Sequence, residues 1–135
     1  LWTRDAIETG ILQWTVDNEV GFLAYSPLGR GYLTGVPLSV NSEDFRFFNP
    51  RFTPEAMANN QVIIDKISQV AERLGISNAQ LALAWTLAIS PNVVPIPGTK
   101  QRKWLRQNVA SIEVTLTPEV LAELDTLPKS VAPRY

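Results

Sequence analysis

Hydrophobic residues divide this chain into blocks of two kinds. In the first kind they recur at helical spacing. Ala6, Ile7, Ile11, Leu12, Trp14 and Val16 do so over 5–18, with Gly10 as a weak point. Ile63, Ile64, Ile67, Val70, Ala71 and Leu74 predict a helix over 55–74. Thr53-Pro54-Glu55 supplies its N-cap, a proline at the first helical position and an early acid, and Gly75 ends it. Ser77-Asn78-Ala79-Gln80 has the form of a capping box and opens a second helix, to about 89, closed by Ser90-Pro91. A further helix is expected over 101–109. The last, 117–126, starts at Thr117-Pro118-Glu119 and turns Val120, Leu121, Leu124 and Leu127 inward.

The second kind is short and almost wholly apolar: "VGFLAY" at 20–25 and "VVPI" at 93–96. Such runs are expected of strands buried on both faces of a parallel sheet. Pro95 fits only if the pairing register leaves its nitrogen outside the ladder. Each run leads into a glycine-containing loop and then a helix, which indicates βα units and an α/β fold. Two strands alone make a poor sheet with both edges open. The sequence also starts at Leu1, in mid-pattern. Both features predict a piece of a larger fold that self-associates or pairs with a preceding part. Residues 36–53 lack periodicity, yet Phe45, Phe47, Phe48 and Phe52 predict a loop packed down onto the body, with an apolar lid over a pocket as the alternative. Trp2, Trp14 and Trp85 read as packing residues.

Composition narrows the chemistry. The 135 residues are 45% apolar, with a formal net charge of −1 and neither histidine nor cysteine. Disulfides, redox thiols, Cys/His zinc sites and imidazole acid–base catalysis are excluded. No apolar run approaches the roughly 18 residues of a membrane span, and no signal segment opens the chain. A cytoplasmic, one-domain protein without nucleic-acid or membrane partners is expected, because those partners usually select a marked positive excess.

One local charge pattern stands against this neutral background. "VVPIPGTKQRKWLRQN", 93–108, carries Lys100, Arg102, Lys103 and Arg106 and no acid. A helix start is itself positive, so cations there are unfavourable unless they face water or share an anion. Parallel α/β folds bind ligands beyond the carboxyl ends of their strands, where both glycine loops fall. "PGTK" brings backbone N–H groups, a hydroxyl and an ammonium to a helix start, and Arg102 adds a guanidinium, a set suited to phosphate. A solvated basic face remains the plain alternative, and Trp104 stacking on a nucleic-acid base is a third. In "AYSPLGRG", Tyr25 is either a core aromatic or a ring offered to a flat ligand.

Taken together, "GFLAYSPLGRGYLTG" (21–35) and "VVPIPGTKQRKWLRQN" (93–108) resemble the aldo-keto reductase family, in the branch whose phosphate loop reads Gly-Thr-Lys. "LWTRD", "NPRF", "AERLGISNAQLALAW" and "LTPEVLAELD" extend the likeness over nearly the whole of 1–135. The resemblance implies the C-terminal portion, roughly two-fifths, of a (β/α)8 TIM barrel, with 20–25 and 93–96 as strands seven and eight. The helix at 55–74 is then the extra one after strand seven, and 117–126 the extra one after the barrel closes. It implies reduction of a small-molecule carbonyl by NADP(H), in which a tyrosine protonates the carbonyl oxygen while the cofactor delivers hydride. Carried over by motif, Tyr25 stacks on the nicotinamide, and Ser26, Leu28, Gly29 and Arg30 lie along the pyrophosphate. Gly98, Thr99 and Lys100, with Arg102, hold the 2′-phosphate. Trp104 stands where the family often has arginine, against the adenine face, and Gln107 and Asn108 bond the adenine edge. The long loop offers Arg46 or Arg51 as a further contact. The family's catalytic Asp, Tyr, Lys and His have no match here, and neither Tyr25, Tyr32 nor Tyr135 aligns with its tyrosine. This implies no catalytic residue, no metal and an inactive isolated chain within a parent reductase. A non-catalytic NADP(H)-binding sensor subunit on the same barrel is the alternative.

Overall fold

The computed structural model describes residues 1–134; Tyr135 lies outside the described residues. The helical blocks fold as their spacing predicts. Gly10, in the left-handed region at φ 76°, splits the first into α1 (Asp5–Glu8) and α2 (Ile11–Asp17). Thr53 Oγ1 accepts from Ala56 N to cap α3 (Pro54–Arg73), and Gly75 (φ 68°) turns the chain out of it. The Ser77–Gln80 capping box forms in full at the start of α4 (Asn78–Ala88). Next come α5 (Arg102–Val109) and α6 (Pro118–Asp125), the latter capped by Thr117.

Between them, β1 (Phe22–Tyr25) and β2 (Val93–Ile96) pair in parallel, with Leu23 opposite Val94 and Tyr25 opposite Ile96. Phe22 N donates to Asn92 O, which sets the parity of the ladder. The amides of Val94 and Ile96 therefore face β1, and the nitrogen of Pro95 points to the open side. That is how a proline sits in this strand.

The core lies on one side of the sheet. Ile63, Ile67 and Val70 of α3, Leu81, Ala82 and Trp85 of α4 and Leu124 of α6 are buried against one another. α4 is apolar on nearly every side, so it must be surrounded. It meets α3, β2, α5 and the 3-10 turns at 29–34 and 110–113.

Three expectations are corrected. The strands are not buried on both faces: Leu23 is 63% and Val94 52% exposed, because helices cover only the face that carries Val93. Trp14 is not a packing residue but 57% exposed, on a two-turn helix with no partner layer outside it. The loop 36–53 buries only Phe52 of its four phenylalanines. Phe47 and Phe48 instead stack edge-to-face at 5.3 Å near the surface, with Phe48 84% exposed. Polar contacts hold this loop: Arg46 pairs with Asp44 and donates to Arg30 O at 3.1 Å. The glycine loop is also more ordered than a bare loop, with 3-10 turns within Gly29–Thr34 that meet at a kink at Arg30 and Gly31.

Leu124 is fully buried between helices, whereas Leu105 stands in solvent. Leu124→Ala is therefore expected to cost about 2–5 kcal/mol in chemical denaturation, and Leu105→Ala less than about 0.5 kcal/mol. Lys66 and Arg73 of α3 grip Glu123 of α6, and the Arg73 hydrogen bond, followed by that of Lys66, pulls its carboxyl down to about 2. A carboxyl lowered in the folded state adds stability above its ordinary 4.5 and loses it as pH falls toward 2. Acid titration of Glu123→Gln should lack that part of the stability loss between those values.

Candidate functional site

Of the four non-glycine residues with positive φ among those described, two lie where β1 ends; the others are Glu19 and Ala132. Ser26 (φ 48°) and Arg30 (φ 55°) are left-handed without being glycine, beside Gly29 (φ 57°) and Gly31 (φ 95°). Such residues persist only where their surroundings hold them, and they concentrate at ligand sites. Gly29 is required twice over. Besides its φ, a Cβ there would stand 2.7 Å from the Trp2 ring. Trp2 stacks on Tyr32 at 4.8 Å and meets Phe52 edge-on at 6.0 Å, so it has no room to yield. The Tyr32 hydroxyl, raised above its ordinary pKa by burial and then by Asp65, donates to Met57 O at 2.6 Å.

The second loop is open by contrast. A Cβ on Gly98 would meet no protein atom within 4 Å, and Gly98 lacks a positive φ. Thr99 Oγ1 accepts from Gln101 N at 3.2 Å, which leaves its O–H to donate. Gln101 makes no side-chain cap to α5. Among the described residues no carboxylate pairs with Lys100, Arg102, Lys103 or Arg106.

Two hollows adjoin these loops. A cleft of about 780 Å³ runs between them, within the range of small-molecule sites. Ser26, Leu28, Arg30, Gly98, Thr99, Trp104, Gln107 and Asn108 line it, eight of the residues expected from sequence. Tyr25 and Gly29 line instead a recess of about 150 Å³ that shares Ser26, Pro27 and Arg30 with the cleft. Lys100 and Arg102 line neither; both side chains are exposed beside the cleft. Lys103 holds its ammonium 4.3 Å from the Trp104 ring centre, and Arg134 its guanidinium 4.2 Å from that of Tyr25, so each ring already carries a cation on one face.

Sequence reasoning offered Phe45 only as part of an apolar lid and missed several other lining groups. Val36, Leu38 and Phe45 bring the long loop to the cleft, where Phe45 is exposed. Its phenylalanine was a signal; Val36 and Leu38 offered none. Arg134 gave no local signal either. Of the two long-loop arginines, Arg46 is tied to Asp44 and the Arg30 carbonyl. Arg51 is buried at the recess, over the Trp2 ring at 4.9 Å, donating to Thr3 Oγ1 and Ala132 O. Burial, then the charge of Arg134, lowers its pKa; Asp5 opposes and Arg30 adds to the lowering.

With this geometry in view, comparison with known proteins is direct. The sequence model of the aldo/keto reductase family matches residues 1–129. The chain belongs to that family. Over 120 residues it is 36% identical to an aldo-keto reductase of Schizosaccharomyces pombe, yakc, named for NADP(+); the match covers 87% of this chain and 35% of that protein. It also superposes on a glycerol dehydrogenase from Gluconobacter oxydans with a TM-score of 0.78 at 26% identity, covering 90% of this chain and 38% of that one. A thermostable aldo-keto reductase solved with the inhibitor epalrestat gives a TM-score of 0.66 at 27% identity, covering 93% and 36%. The chain thus spans little more than a third of the length of each of these relatives.

The contrast between the two glycines is testable by denaturation. Gly29→Ala should lose more than about 1 kcal/mol, whereas Gly98→Ala should stay within about 0.5 kcal/mol of the parent.

Proposed function

We propose that this chain is the cofactor-binding C-terminal portion of an NADP(H)-dependent aldehyde or ketone reductase, with β1 and β2 as strands seven and eight of a (β/α)8 barrel. The observation that carries the reading is the cleft joining the two glycine loops. It supports a division of labour along one extended anion. Thr99, the uncapped amides at the α5 start, Lys100 and Arg102 hold the 2′-phosphate, and Trp104, Gln107 and Asn108 take the adenine. Ser26, Leu28, Gly29 and Arg30 lie along the diphosphate, and Tyr25 faces the nicotinamide.

The residues present fit such a group. The Gly98 position is open where a phosphate would need backbone access, and Lys100, Arg102 and Lys103, without carboxylate partners among the described residues, stand at a helix start that lacks an acid. Opposite charge from a phosphate would relieve what is otherwise a repulsive end of α5. NADP(H), when bound, supplies the hydride. The proton donor of the reaction is assigned to no residue of this chain: there is no histidine, and Tyr32 is buried with its hydroxyl on Met57 O. The isolated chain is therefore expected to bind without turning over, and the full reductase to act on a small carbonyl compound.

Calorimetric titration with 2′,5′-ADP and with 5′-ADP tests this. The doubly phosphorylated ligand should bind at least about tenfold more tightly, a charge-assisted contact's worth. Lys100→Ala should erase the preference, and Gly98→Ala should weaken binding while the fold stays intact. Equal affinities for a folded sample would reduce the four cations to a solvated face.

A further inference from the structure

Arg46 lines neither hollow, although Arg30, Gly31 and Phe45 around it all line the cleft. Its Nη1 donates to Arg30 O at 3.1 Å and lies 3.6 Å from where a Cβ on Gly31 would stand. The other end of the same peptide unit, Gly31 N, donates to Leu28 O at 2.9 Å. A peptide group is planar, so bonds at its oxygen and at its nitrogen together fix its orientation. This peptide joins Arg30 (φ 55°, ψ 32°) to Gly31 (φ 95°, ψ −13°), the two positions where the turn leaves helical geometry. A left-handed residue other than glycine is unfavourable alone and persists where a neighbour holds it. Arg46 supplies that hold at Arg30.

Arg46 is itself locked. Its Nε donates to both carboxylate oxygens of Asp44 (2.9 and 3.1 Å), its Nη2 to Oδ2, and its backbone N to Oδ1 at 2.9 Å. The guanidinium lies 5.9 Å from the Phe45 ring centre and 5.8 Å from that of Phe52, which is buried against Trp2 and Tyr32. An exposed ion pair would add little. This one is largely covered, with side chains 17% and 18% exposed, and it directs Nη1 to one carbonyl 16 residues away. Only the guanidinium fork can grip a carboxylate and that carbonyl together.

We propose that Arg46, locked by Asp44, is a positioning residue for NADP(H): it fixes the Arg30–Gly31 peptide in the wall of the cleft and does not touch the cofactor itself. The proposal rests on the reductase reading, in which Ser26 through Arg30 lie along the diphosphate. A turn already held in its bound shape costs less to order on binding. Asp44 then acts with a distinctive sign. It is a carboxylate that strengthens the binding of an anion, because it works through Arg46.

Calorimetric titration of Arg46→Gln, Asp44→Asn and the double variant tests this with two ligands. One is NADP+; the other is 2′-AMP, which carries the adenine and the 2′-phosphate but no diphosphate. Each single change should weaken NADP+ about tenfold or more, as for loss of one charge-assisted bond, and leave 2′-AMP within about twofold. The double variant should bind no more weakly than either single one, because both changes remove the same device. Tighter NADP+ binding by Asp44→Asn would overturn the proposal, since the freed Arg46 would then be a direct contact. Equal losses for both ligands, unchanged NADP+ affinity or additive effects would overturn it too. Amide exchange of the ligand-free chain decides the case in which the parent binds neither ligand and the NADP(H) reading itself is lost. There the Gly31 amide should exchange about tenfold faster in Arg46→Gln, with that of the buried Ile67 unchanged. An unchanged Gly31 rate would remove the positioning role as well.

Discussion

α4 is apolar around almost its whole circumference, from Ala79 through Thr86, and a helix of that kind is stable only when every side is covered. α3 covers one side, β2 and α5 another, and the turns at 29–34 and 110–113 the rest. Both glycine loops are therefore mounted on one buried helix. The first is tied through Leu33 of the 29–34 turn, and the second is continuous with β2 and α5 on either side of it. Loss of packing at α4 would alter the spacing between the loops before it altered either loop itself.

The aromatic cluster of Trp2, Tyr32 and Phe52 gives the first loop its shape. Trp2 lies close enough to forbid any side chain at position 29, and Tyr32 anchors the far end of the loop to α3 through the Met57 carbonyl. The strain at Ser26 and Arg30 is held against this rigid backing. The Asp44–Arg46 pair, which lowers the Asp44 carboxyl to about 2 through the Arg46 hydrogen bonds, clamps the Arg30 carbonyl from the other side. A loop gripped on both faces keeps one shape, with little freedom left to reorganise.

Charge is distributed by position rather than in total. The net charge of −1 conceals a segregation. Carboxylates such as Glu8, Glu123 and Asp125 are paired with cations on helix surfaces, while Lys100, Arg102 and Lys103, which have no carboxylate partner among the described residues, collect beyond the end of β2. Surface pairs of that sort contribute little stability.

The sequence by itself determined the helices, their caps and the two parallel strands, because spacing, Thr-Pro-Glu starts and terminal glycines act within a few residues of one another. It also determined most of the cleft, since Gly98-Thr99 and Ser26 through Arg30 are contiguous motifs that carry their geometry with them. Tertiary structure decided the rest. Whether Phe47, Phe48 or Trp14 is buried depends on what layer lies above, which no local pattern encodes. That Lys100 and Arg102 stand beside the cleft rather than in its wall depends on the angle at which α5 leaves the turn. The recess was illegible for the same reason: Trp2, Arg30, Arg51 and Arg134 are far apart in the chain, and only the packing of the long loop and of segment 131–134 against the glycine loop brings their donors to one place.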